Sequence, residues 1–220
     1  MNTLQINRLR MDGSPELAEL PPRERIMVAA RDLFYRYGLH PVGVDAIAET
    51  ALTNKMTLYR HFKSKDDLIV AYIKRLADEG DEVWERIISQ NSGNPEKCLD
   101  AWVDYVEDVL TNKLERGCAI ANAAVELDAE HPARAVIEAY KSRKRANLVK
   151  LFKSARYREP ELLADEVFLL FEGARINIQC GKKGPASRLV RMLRNLLAAA
   201  PRLSASKVRR SPTIARENLP

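Results

Sequence analysis

A chain of 220 residues, 46% of them hydrophobic, is long enough to bury a sizeable core and to divide into a small head and a larger body. Its formal net charge of +6 suits an anionic partner. No run of about eighteen apolar residues is present and Met1 to Leu20 has no signal-peptide pattern, so a cytoplasmic protein without membrane contact is expected. Aromatics make up only 6%, and alternating β-branched runs bounded by hairpin turns do not occur, so the fold class is all-α.

Residues 1–20 are poor in apolar side chains and read as a flexible N-terminal segment. Ile26, Ala29, Ala30, Leu33, Phe34 and Tyr37 then recur at helical spacing and predict a first helix from about Pro22 to Tyr37. Pro21-Pro22 suits a first turn, where the missing amide is no loss, and Gly38 suits the stop. Val44, Ile47, Ala48 and Ala51 form a second, short apolar face. Asn54 is placed to cap a third helix, in which Leu58 and Phe62 turn inward four residues apart. Ser64, with Asp67 three residues on, opens a fourth helix in a capping-box pattern.

Two short helices, a tight turn and a third capped start form a unit suited to laying a helix into a DNA groove. The N-terminal end of the third helix would lie nearest the bases, which puts Asn54, Lys55, Met56 and Thr57 there. Tyr59, His61 and Lys65 would flank the groove and hold phosphates, with Arg60 along the outward edge. An ordinary three-helix subdomain with a solvated face is the alternative.

Residues Ile26 to Leu68 also resemble the N-terminal domain of the tetracycline-repressor (TetR) family of bacterial transcription regulators. The resemblance is carried by Ala29-Ala30, Leu33-Phe34, Gly38, Ile47-Ala48, Thr57-Leu58-Tyr59, His61-Phe62, Ser64-Lys65 and Leu68, in order and at the family's spacing. It implies a recognition helix at Lys55 to Phe62, a phosphate-binding tyrosine at Tyr59 and a phosphate-binding lysine at Lys65. Two positions depart from the pattern. Leu52 stands where the family often has Gly in the turn, which predicts backbone strain. Gly43, at the start of the second helix, replaces a capping Thr or Ser that could also hold a phosphate; Gly is a tolerable cap.

Beyond a head at 21–66, a body at 67–200 reads as consecutive helices. The fourth helix runs from Lys65 to about Gln90, with Gly80 marking a bend, and Asn91 to Pro95 is a break. Further helices are expected to about Asn112, after Gly117, and at Pro132 to Ala155, Glu159 to Cys180 and Pro185 to Ala200. The segment 201–220 reads as a flexible tail, and from Gly181 to Pro220 ten Lys or Arg face one acid, Glu217. The stretch Arg116 to Glu126, followed by His131-Pro132, resembles the regulatory domain of TetR-like proteins. That resemblance implies a small-molecule effector among the central helices, a homodimer formed by the last two helices, and repression as the usual mode. Trp102, Tyr105, Asn122, Glu126, Tyr140, Glu172 and Arg175 are the candidate effector-binding residues. Pairing has independent support: Val167 to Phe171 are apolar on all sides of a helix, which implies burial on two sides. The central helix of a monomeric bundle would read the same way.

Catalysis finds no support. His40, His61 and His131 form no helical pair, and Gly181 to Pro185 lacks phosphate-loop spacing. Cys98, Cys118 and Cys180 have no CxxC spacing, so no metal and no cofactor are expected; Cys118 reads as a buried thiol or a redox sensor. The expected partners are a double-stranded DNA operator, a second copy of the chain and an effector of unknown identity. A helical adaptor that binds proteins through the basic tail is the competing reading.

Overall fold

In the computed structural model, which describes residues 15–112, 116–181, 184 and 187–203, apolar spacing and capping residues set most helix bounds. Among the described residues, nine helices follow one helical turn at Pro15–Ala18. They are α1 (Pro22–Tyr37), α2 (Val44–Thr50), α3 (Lys55–His61), α4 (Lys65–Gln90), α5 (Pro95–Asn112), α6 (Ala119–Glu126), α7 (Ala133–Ser154), α8 (Pro160–Gln179) and α9 (Leu189–Ala199). Among the described residues no strand forms, and Tyr157 and Arg202 share a single isolated bridge. No helix among them is long and apolar enough to cross a membrane.

The head follows its sequence closely. Asn54 accepts the Thr57 amide at 2.9 Å, and Ser64 accepts the Asp67 amide at 3.0 Å, so each side chain satisfies a donor its helix would leave open. Gly38 ends α1 with φ +91° and a Phe34 carbonyl bond of 3.0 Å. Between α2 and α3, Leu52 takes φ +51°; its amide bonds the Glu49 carbonyl at 3.0 Å and the Thr53 amide bonds Ala48 at 2.9 Å. That pair of bonds is the Schellman closure, which normally holds Gly. Arg25 supports the turn by donating to the Ala51 carbonyl at 3.0 Å and the Leu52 carbonyl at 3.4 Å. Left-handed backbone at a non-Gly residue costs about 1–2 kcal/mol, and the Leu52 side chain is exposed, so removing it sacrifices little packing. Leu52→Gly is therefore expected to raise the melting temperature by a few degrees, about 1 kcal/mol at most. A lower melting temperature would show that the turn is relaxed as it stands.

Two cores hold the molecule. The first joins α1–α3 to the first turns of α4 and to α6 and α7, through Ile47, Leu58, Leu68, Ile73, Ala123 and Ile137 among others. The second lies among the end of α4, α5, α7, α8 and α9, around Val106, Phe152, Val167 and Leu193. Helix α4, 26 residues and so about 39 Å long, runs from one core into the other. Gly80 sits mid-way along α4 where the Tyr140 phenol of α7 packs onto the backbone; a Cβ there would overlap the ring. Close approach, rather than a bend, accounts for this glycine.

A few residues of each segment expected to be flexible are packed against the rest of the chain. Leu17 is buried and Arg25 donates to the Ala18 and Leu20 carbonyls, both at 3.3 Å, so 17–20 is packed against α1. At the other end Arg202 pairs with Glu96 and lies 4.4 Å from the Tyr157 ring centroid, while Leu203 bonds back to Arg156. Residues 1–14 and 204–220, which carry most of both expected segments, lie outside the described residues, as does Pro185.

Candidate nucleic-acid interface

Helix α3 is anchored by one face and free on the other. Leu58 and Phe62 are buried, and Arg23 stacks over the Phe62 ring at 5.2 Å. Lys55, Met56, Tyr59 and Arg60 share the opposite face. Met56 is 82% exposed and Tyr59 43%, an arrangement that packing inside the chain does not explain. His61 is exposed at the end of the helix, and Thr57 is half-buried at its start. Asn54 is exposed, but its carbonyl oxygen is committed to the cap, leaving the amide nitrogen to face outward. Lys55 reaches Asp45 of α2 at 3.1 Å, with both side chains largely in solvent, so this pair would exchange easily for a stronger acceptor.

Gly43 caps α2 with extended backbone and open space around its Cβ position, so nothing steric demands glycine here. Lys65 is half-buried and donates to the His40 carbonyl at 3.2 Å. Burial lowers its pKa, opposed by the charges of Asp66 and Glu126. The expected interface residues thus gather on and around α3, with Gly43 and Lys65 at its margins. Arg25, which fixes the turn before α3, was invisible in the sequence because its partners lie 26 and 27 residues away.

The candidate effector residues divide between two places. Trp102 and Tyr105 of α5 line a cavity of about 20 Å³ together with Val83, Trp84 and Ile87 of α4, Lys144 and Leu148 of α7, and Phe168 and Phe171 of α8. Tyr140, Glu172 and Arg175 lie just behind it. Lys141 bonds Glu172 at 2.7 Å and Arg175 bonds it at 3.4 Å. Burial pushes the Glu172 carboxyl up, but the Lys141 and Arg175 charges outweigh it and hold it below its usual value. Burial, reinforced by the nearby Arg175 charge, lowers Lys144 to about 8.

Asn122 and Glu126 do not belong to this cavity. They line a separate space of about 10 Å³ under α1, where α6 meets the head. The Glu126 carboxylate accepts the Leu39 amide at 2.6 Å and the His40 amide at 3.2 Å, and the Glu126 carbonyl lies 2.6 Å from His40 Nε2. Asn122 bonds the Arg116 carbonyl at 2.7 Å and accepts from Gln179 at 2.9 Å. Arg116 in turn donates to the last carbonyls of α1, at Tyr35 and Arg36. Polarity on an inner helix suggested a ligand site; Glu126 instead accepts backbone amides of the head, and Asn122 ties the Arg116 carbonyl to the Gln179 side chain. Sequence reasoning also missed Trp84, Lys144, Phe168 and Phe171. Cys118 is buried and its sulfur accepts the Ala121 amide at 3.4 Å. Among the described residues no group of three or more His, Cys, Asp or Glu could hold a metal.

A small helical head that presents one short helix outward, carried by a long helix on an all-helical body, defines a helix-turn-helix regulator-type architecture. Residues 26–72 match the family profile of bacterial regulatory proteins, tetR family. The chain is 32% identical over 88 residues to the HTH-type transcriptional activator FasR of Mycolicibacterium smegmatis, covering 39% of this chain and 40% of that protein. It is 43% identical over 53 residues to the HTH-type transcriptional regulator UidR of Escherichia coli strain K12, covering 24% and 27% respectively. The matches thus span less than half the length of these curated relatives. Among solved structures, a TetR-family transcriptional regulator from Streptomyces coelicolor superposes with a TM-score of 0.75 at 24% identity, covering 81% of this chain and 95% of that one. A tetR-type regulator from Streptomyces avermitilis gives 0.70 at 28% identity, covering 84% and 100%. Residues 26–72 thus carry the TetR-family N-terminal signature, and the fold of the chain is similar to that of solved TetR-type regulators.

Proposed function

We propose that the protein is a transcription regulator that reads duplex DNA as a homodimer through α3, and that a small molecule entering the body releases it. The outward face of α3 carries this reading: Met56 and Tyr59 are exposed beside Lys55 and Arg60, while Leu58 and Phe62 lock the helix from behind. Lys55 suits a guanine edge, Met56 an apolar contact such as a thymine methyl, and Tyr59 and Lys65 suit phosphates. Two copies related by a two-fold axis would place their α3 helices on half-sites about 34–36 Å apart, or a multiple of it. The effector arm rests on the aromatic cavity and on the family. Repression is the mode proposed, although the relative from M. smegmatis is named an activator; a reporter gene behind the bound site, with and without the protein, gives the sign.

A mobility-shift titration against fragments flanking the protein's own gene tests the core of this proposal. Lys55→Ala should weaken specific binding by about 1–3 kcal/mol and relax base preference. Tyr59→Phe and Lys65→Ala should weaken all sequences alike, and the lysine variant should also lower the salt slope by about one. Circular dichroism guards the Lys65 result, since that side chain also holds the His40 carbonyl. Wild-type affinity in all three folded variants would rule out α3 as the reading element.

A further inference from the structure

The cavity among α4, α5, α7 and α8 holds a charge imbalance that its apolar walls do not explain. The Lys144 ammonium has no ion pair or hydrogen bond among the described residues; it rests over the Tyr140 and Phe171 rings, 5.6 and 5.5 Å from their centroids. The two carboxylates nearby are taken. Glu172 is held by Lys141 and Arg175, and Asp81 by Arg143 at 2.8 Å. Arg175 has a donor to spare as well, because its Nε is buried without a partner and its guanidinium lies 5.1 Å from the same Phe171 ring. A half-buried cation without an ion pair is a costly arrangement, and a group that supplies the anion relieves it.

We propose that this cavity takes an aromatic monocarboxylate, its carboxylate meeting Lys144 and Arg175 beside Phe171 and its ring lying between Trp84, Trp102 and Phe168. The inference rests on the effector reading above and specifies its ligand class. The aromatic rings supply edge and face contacts for a second ring. One carboxylate reduces the excess of Lys141, Lys144 and Arg175 over Glu172 from two charges to one. The cavity encloses only about 20 Å³, so a ligand of this size has to part the helices around it. Trp84 and Ile87 belong to α4, so the parting moves the helix that carries the head.

The chain's two tryptophans both line this cavity, which makes their emission a local probe. The experiment titrates wild type and Lys144→Met with 3-phenylpropionate, 3-phenylpropanol and 3-phenylpropylamine, exciting only tryptophan. The wild type should bind the acid at least about tenfold more tightly than the alcohol, the increment expected of a charge-assisted bond, and the amine more weakly still. Lys144→Met should melt higher than wild type and bind acid and alcohol alike. Equal affinity for acid and alcohol in the wild type, an acid preference that survives in Lys144→Met, or no response to any of the three overturns the proposal. A mobility shift on the same samples keeps the two readings apart: DNA binding without acid preference overturns only the ligand class.

Discussion

Leu169→Glu is expected to leave the chain folded, halve its mass in light scattering and reduce its DNA affinity by about two orders of magnitude or more. Helix α8 buries Val167 and Phe171 against its own chain, yet exposes Leu162 (52%), Leu169 (69%) and Ile176 (56%). These three fall seven residues apart, a single stripe along the helix. Gly173 lies within it with open space around its Cβ position, and Met192 of α9 is exposed too. Burying one leucine contributes about 1.5–3 kcal/mol, and a carboxylate in its place adds an unpaired charge. Two-fold symmetry doubles both effects, because each subunit brings its own copy of the substitution. A monomer then meets one half-site with one α3, losing the gain from two linked contacts. The choice of residue matters. Leu193, which the sequence offers as an equally apolar target, is fully buried in the chain's own core, so Leu193→Glu would report folding instead. Circular dichroism should be unchanged in Leu169→Glu; a variant that still scatters at twice the chain mass would place the dimer contact elsewhere.

The head was legible because its determinants are local. Asn54 and Ser64 cap helices three residues ahead, Leu58 and Phe62 lie one turn apart, and Leu52 departs from glycine at a turn whose geometry is fixed by neighbours. Each of these relations fits inside a handful of residues. The body was legible only as a series of helices, since what its side chains touch is decided across long separations. Glu126 meets Leu39 across 87 residues, and no periodicity encodes that meeting. Lys144 lies between extremes. In a run of Lys141, Arg143, Lys144 and Arg145 it reads as part of a solvated basic face, yet it falls four residues after Tyr140 and four before Leu148, both buried. An interrupted apolar stripe was the available signal, and the surrounding charges masked it. The same limit explains why the all-apolar run from Val167 to Phe171 does not distinguish half-buried Leu170 from exposed Leu169.

Glu126→Ala should destabilise the protein by about 2–4 kcal/mol and weaken DNA binding without touching a residue of α3. The carboxylate accepts two backbone amides at the end of α1, those of Leu39 and His40, and charged acceptors contribute about 1.5–3 kcal/mol per bond. Alanine leaves the half-buried Leu39 amide unsatisfied. Glu126→Gln keeps one neutral oxygen in place, so it should fall between the two. The effect on DNA follows from where this contact sits. A long α4 alone would join head to body at one line, about which the head could rock. Helix α6 supplies a second attachment: Glu126 and Arg116 grip the end of α1, while Asn122 reaches Gln179 at the end of α8. Movement at α8 therefore has a route to the head that does not pass along α4. With the second attachment cut, the two α3 helices of a dimer no longer hold a fixed separation, and DNA half-sites at a fixed spacing would have to order them on binding. Urea unfolding reads the first effect and mobility shift the second. A variant with lowered stability but wild-type DNA affinity would leave α4 as the sole lever; a variant unchanged in both would show that α6 only rests against the head.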